Sequence, residues 1–181
     1  ATLAAAGVLT KQMMLVFPLV TFLMLAAIPA YRRECARPGV YIMTAVTLTA
    51  LAPILLWNAR HGWVTWQHTT EHFRGGRAWY AAFQTLGHFI GTQMAMISPL
   101  LWLLFMFLGV AVLRQWRRTD PRVRLLVVYS ILPLAAVSIL SLRQRILPNW
   151  PAVFYLAGSV LAAAWIGGAY QPGGDVAALD K

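Results

Sequence analysis

The side chains able to do chemistry in this chain are almost all basic or imidazole, and they fall in four places. Arg74-Gly75-Gly76-Arg77 sets two guanidiniums on either side of a pliable glycine pair. A guanidinium can hold two oxygens of one phosphate, so the pair suits an anionic phosphate, and a solvated loop suits it equally. Just before it, His68 and His72 stand four apart with Glu71 beside them, so one face of a helix would carry all three. Imidazole and carboxylate at that spacing suit a divalent metal, with a third ligand supplied from elsewhere; the plainer alternative is an aromatic-rich interfacial helix. Lys11, between Thr10 and Gln12, either snorkels to headgroups or sits at the mouth of a cavity between helices where a lipid phosphate would neutralise it. Arg143 and Arg145 precede Pro148-Asn149-Trp150-Pro151, whose two prolines fix the onward path of the chain and so aim the cations. His88, inside an apolar run, is expected to be a packed, hydrogen-bonded histidine.

These residues need a scaffold, and composition says which kind. Of 181 residues, 60% are hydrophobic and 11% charged, against roughly a quarter charged in soluble domains. So small a soluble protein has too little interior for that much apolar side chain. The formal charge of +10 does not mark a nucleic-acid partner, because the positive residues sit in short clusters between uncharged runs rather than along a continuous basic face. The single cysteine, Cys35, excludes an internal disulfide or a cysteine-headed metal cluster. Glycine-rich nucleotide loops, HExxH and GxSxG are all missing. The chain opens at Ala1 within an apolar stretch, which leads us to expect a longer protein around it.

The expected fold is therefore all-α: a polytopic transmembrane helix bundle of about five spanning helices. A crossing takes about 20 apolar residues, and residues 13–30, 39–57, 84–113, 125–142 and 147–169 supply the candidates. The third run is overlong and should kink at Ser98-Pro99; the fifth qualifies if Pro148 and Pro151 lie in its first turn. An aromatic and histidine-rich loop or interfacial helix, with Trp63, Trp66, Trp79 and Tyr80, lies between the second and third. Residues 1–170 form the bundle and residues 171–181 a polar tail. Alternating spans place Arg32, Arg33, Arg37, Arg114, Arg117, Arg118, Arg122 and Arg124 on the cytoplasmic side, and the histidine-rich segment with Arg143 and Arg145 outside. Gly87-xxx-Gly91 has the spacing of a helix contact, read here as ordinary close packing.

The order of landmarks carries a resemblance. Gly7-Val8-Leu9-Thr10-Lys11, then Leu55-Leu56-Trp57-Asn58-Ala59, Glu71-His72-Phe73-Arg74, Ile97-Ser98-Pro99-Leu100 and Arg143-Gln144-Arg145-Ile146-Leu147-Pro148 follow one another. Together they resemble the middle-to-late part of a C-type (GT-C) integral membrane glycosyltransferase, family 39-like. Its members include the bacterial relatives of protein O-mannosyltransferases and of the lipid A aminoarabinose transferase. The resemblance implies an enzyme of the bacterial inner (plasma) membrane, with its active face periplasmic or extracellular. Such an enzyme moves a sugar from a polyprenyl-phosphate donor to a hydroxyl acceptor by direct displacement. It implies lipid-phosphate ligands at Lys11, Arg74 and Arg145, and a histidine near a metal at His72, beside Glu71; the neighbouring Arg77 and Arg143 join the expected phosphate set, and His68 the expected metal set, on the residue pattern given above. The family's acidic catalytic residues lie in a first outer loop ahead of these landmarks. Glu34 and Asp120 fall on the cytoplasmic side and Asp175 and Asp180 in the tail, so this stretch is expected to bind the donor phosphate without supplying a catalytic carboxylate. Two other readings compete: a transporter or flippase for an anionic lipid-linked substrate, and a non-catalytic membrane subunit.

Overall fold

A computed structural model describes residues 1–73 and 79–172; the side chains at 68, 69, 71–73, 79 and 80 fall outside the description. The fold is an all-helical membrane bundle, with no strand among the described residues. It divides into two compact units, Ala1–Gly75 and Gly76–Lys181.

In the first unit, α1 (Thr2–Thr10) packs on α3 (Pro38–Thr49) and α4 (Leu51–Arg60). A 3-10 turn, Gln12–Leu15, leads into α2 (Val16–Ala27). Pro29 has no N–H to continue that helix and pushes Ile28 into extended backbone. The chain therefore turns by 119° into the 3-10 segment Pro29–Ala36. Arg32 reaches back to donate to the Ala26 carbonyl at 2.9 Å, satisfying one of the open acceptors at the end of α2. Pro38 opens α3 at a first-turn position, where a missing N–H costs nothing. Together α3 and α4 make a 23-residue apolar helix, Pro38–Arg60. At 1.5 Å per residue it is about 34 Å long, enough for one hydrocarbon core. Then α5 (Val64–Phe73) follows a tight turn.

The second unit comprises α6 (Trp79–Ile97), α7 (Pro99–Arg114), α8 (Pro121–Tyr129), α9 (Ile131–Ser141) and α10 (Ala152–Ile166). Its core is a stripe from α7, namely Trp102, Phe105, Leu108 and Val112, packed with Val127 and Leu134 and with Phe154, Tyr155 and Leu161 of α10. Phe105 and Tyr155 meet at 6.2 Å between ring centroids. The opposite face of α7 exposes Leu103, Phe107 and Val110. A helix apolar on every side belongs inside protein or in lipid, and the exposed half of α7 is apolar enough for lipid. Close approach depends on two glycines. A methyl group on Gly109 would stand 2.6 Å from Ile131, and one on Gly158 would stand 2.9 Å from a Phe105 ring carbon. Gly87 and Gly91 instead have nothing within 4 Å of such a methyl, so that spacing makes no close packing among the described residues. His88 also departs from expectation, lying exposed on α6 rather than packed.

The Ser98-Pro99 kink is real and far sharper than a bent span. The α6 and α7 axes differ by 109°. Ser98 adopts φ 80°, a backbone conformation uncommon outside glycine, and its Oγ accepts from the Leu101 N–H at 3.3 Å to start α7. By length and composition, Pro38–Arg60 and Pro121–Ser141 can each cross a membrane, and the number rises to four if each bent pair is one crossing. The difference from about five lies in prolines. Pro29 and Pro99 break two of the apolar runs at corners. In the last run, Pro148 lies in a turn and Pro151 caps α10, which leaves 15 helical residues.

Candidate functional site

Lys11 ends α1. Its backbone is extended (φ −152°, ψ 114°), and its N–H donates to the Gly7 carbonyl at 2.8 Å. That carbonyl also accepts from the Thr10 hydroxyl at 2.8 Å. Gly7 makes this corner tight: a methyl group there would stand 3.0 Å from the Met14 side chain in the next turn, which would have to shift by a few tenths of an ångström. The half-exposed Lys11 is thus held at a helix terminus, the position the Leu9-Thr10-Lys11 landmark predicts.

The α4–α5 junction turns on Asn58, a buried amide that uses both ends. Its Nδ2 donates to the Ile54 carbonyl at 2.9 Å, and its Oδ1 accepts from the Thr65 N–H at 3.2 Å in the first turn of α5. Gly62 and Trp63 both take positive φ, 66° and 59°. The Trp63 N–H reaches the Asn58 carbonyl at 2.8 Å. His61 stacks on Trp57, with centroids 4.3 Å apart, and its Nδ1 lies 2.8 Å from the Trp57 carbonyl. Trp63 and Trp66 are exposed, as rings at headgroup depth should be. Of the loop or helix expected in this segment, a helix is present, α5. It carries positions 68, 71 and 72, so two imidazole positions share a face one turn apart. The side chains of His68, Glu71 and His72, and all of Arg74 and Arg77, lie outside the described residues. Among the described residues no three potential metal ligands gather.

Arg143 and Arg145 belong to the second unit. After α9, the Arg143 and Gln144 N–H groups close on the Leu140 carbonyl at 3.0 and 3.2 Å, and the chain then runs without helix to Pro148. Sides alternate along this link: Gln144 and Ile146 are buried, while Arg143, Arg145 and Leu147 are exposed. Both arginines are therefore exposed, Arg143 at the negative end of the α9 dipole. The link is pinned from below. Gln93 of α6, fully buried, donates from Nε2 to the Pro148 carbonyl at 3.3 Å, and its Oε1 accepts the hydroxyl of Tyr155 on α10. Of the five phosphate candidates, Arg143 and Arg145 are the pair that one described link leaves exposed; Lys11 is carried by the other unit.

Gln93 and Tyr155 carry no motif, and a reading of landmarks passes over them. Their signal was polarity in the wrong place: Gln93 is an amide within an apolar run, and such amides bond between helices. The described carboxylates lie elsewhere, Glu34 paired with Arg37 at 2.8 Å and Asp120 accepting the Arg122 N–H at 2.6 Å.

The chain matches no protein-family profile and no solved structure. It is similar to the lipid A galacturonosyltransferase RgtD of Rhizobium johnstonii (strain DSM 114642 / LMG 32736 / 3841), with 28% identity over 150 residues. That match takes in 78% of this chain and 29% of the length of that protein.

Proposed function

We propose that this chain is part of a C-type membrane glycosyltransferase, family 39-like, and that it supplies the binding site for a lipid-linked phosphate. In this reading a sugar passes from a polyprenyl-phosphate donor to a hydroxyl acceptor at the outer, periplasmic face of a bacterial inner membrane. The observation that carries it is the similarity to a lipid A galacturonosyltransferase across most of the chain. That relative's name supports a lipid A-type acceptor and a uronic acid sugar. The exposure of both Arg143 and Arg145 on one short link supports the phosphate-binding role.

The acceptor oxygen attacks the anomeric carbon, and the bond from that carbon to the phosphate oxygen breaks. The electron pair leaves with the phosphate, so negative charge grows there. Lys11, Arg74, Arg77, Arg143 and Arg145 stabilise that charge more in the transition state than in the ground state, which is the condition for a rate gain. The proton of the acceptor hydroxyl goes to a base outside this set. The helical backbone through positions 68–72 fits two metal ligands one turn apart. A divalent ion on His68, Glu71 and His72 would add neutralising charge at the phosphate.

The test is sugar transfer from a labelled polyprenyl-phosphate donor in membranes containing the complete protein. Arg145→Gln and Arg74→Gln should each lower kcat/KM on the order of 100-fold, the scale of one lost electrostatic contact to a developing anion. Near-normal transfer by both variants at saturating donor would overturn the assignment. Directional movement of the intact donor across vesicles, without transfer, would favour a flippase.

A further inference from the structure

The two arginine-rich loops of the chain dispose of their charge differently. In the segment Pro29–Ala36 and its exit, Arg32 donates to the Ala26 carbonyl and Arg37 pairs with Glu34. The loop joining α7 to α8, with the last turn of α7 and the first of α8, holds Arg114, Arg117, Arg118, Arg122 and Arg124 with one carboxylate, Asp120. Asp120 spends an oxygen on a backbone N–H, and among the described residues no carboxylate pairs with any of the five guanidiniums. Arg114, Arg117, Arg118 and Arg122 are exposed.

Arg124 lies over the Trp116 ring, its Cζ 5.8 Å from the centroid. Its Nε is buried with no hydrogen-bond partner. The loop itself is firmly built. The Arg118 and Thr119 N–H groups donate to the Gln115 carbonyl at 2.8 and 3.0 Å, and the Thr119 hydroxyl donates to the same oxygen at 3.0 Å. Arg122 and Arg124 also add positive charge to the start of α8, an end the helix dipole already makes positive. Five like charges on a rigid loop need a counter-charge from outside. Because the spanning helix Pro121–Ser141 begins here, the loop stands where phosphodiester headgroups are densest. Beside it, Val110 and Leu113 of α7 are exposed and apolar, a surface for acyl chains rather than for a soluble ion.

We propose that the α7–α8 loop is a seat for the headgroup of an anionic glycerophospholipid. Arg117, Arg118 and Arg122 hold the phosphate, and Arg124 is braced on Trp116. The proposal does not depend on the transferase reading, since it concerns a different loop and no chemical step.

The experiment is native mass spectrometry of the complete protein, released from neutral phosphatidylcholine nanodiscs and titrated with phosphatidylglycerol. The wild type should retain one phosphatidylglycerol selectively. The triple variant Arg117→Gln/Arg118→Gln/Arg122→Gln should weaken retention on the order of 100-fold, as expected for three cations at an anionic surface. The triple variant Arg32→Gln/Arg33→Gln/Arg37→Gln loses the same charge and should bind as the wild type does. Trp116→Leu, which alters no charge and removes the brace, should weaken retention several-fold and guards against a misfolded triple variant. Equal losses in both triple variants, or none in the first, overturn the proposal. Displacement of the lipid by millimolar inorganic phosphate also overturns it, in favour of a soluble phosphate.

Discussion

Tyr155 on α10 donates its hydroxyl hydrogen to Oε1 of Gln93 on α6, 62 positions away in the chain, and Gln93 passes an amide hydrogen on to the Pro148 carbonyl. Two helices and a link are joined through one buried amide, at the base of the segment that carries Arg143 and Arg145. Tyr155→Phe should destabilise the protein by about 1–3 kcal/mol, because it leaves a buried acceptor unmet. Gln93→Leu should cost more, since it strands both the phenol and the carbonyl. Thermal unfolding in detergent checks both, and wild-type stability in Gln93→Leu would mean the amide joins nothing of consequence.

Arg118 and Arg145 should lie on opposite sides of the membrane. They flank Pro121–Ser141, a 21-residue helix about 32 Å long. In a Cys35→Ser background, cysteines placed at 118 and at 145 should react with an impermeant maleimide from different faces of sealed vesicles. Labelling of both from one face would show that this helix does not cross.

Small residues should matter at Gly109 and not at Gly87. Gly109→Ala puts a methyl group 2.6 Å from Ile131 across a packed helix contact, and overpacking of that kind costs about 1–3 kcal/mol. Gly87→Ala meets open space and should be neutral or slightly stabilising in a helix. Reversed effects in a denaturation series would place the close contact on the other glycine.

Burial pushes the Tyr170 phenol above its ordinary value of 10.0, and the hydrogen bond with Thr119 pulls the other way without cancelling it. Folding thus favours the protonated phenol. Its contribution is fully present below about pH 10, the unfolded value. It is lost as pH rises through the higher folded value. Wild-type stability should fall more steeply than that of Tyr170→Phe across that window; parallel curves would show no such linkage.

Composition announced the helices, the membrane and the turn at Ser98, because apolar runs and prolines act locally. Two properties escaped it. The severity of the corners at Pro29 and Ser98 depends on how neighbouring helices pack, which no run of apolar residues records. Likewise the bond from Gln93 to Pro148 joins positions 55 apart. Of the candidate site, the cations were legible because their charge stands out in apolar surroundings; the bonds through which the neutral amides Asn58 and Gln93 hold the supports were not, since they depend on where the chain brings their partners. Gly87 and Gly91 advertised a contact that Gly109 and Gly158 make instead, since spacing alone does not say which face meets a partner.

Surface connections between helices usually absorb an inserted or deleted residue without harm. The stretch from Leu142 to Pro148 should not. Only residues 145–147 separate the turn that closes α9 from Pro148, so one more amino acid there would carry the Pro148 carbonyl away from Gln93 and cut the tie between this link and α6.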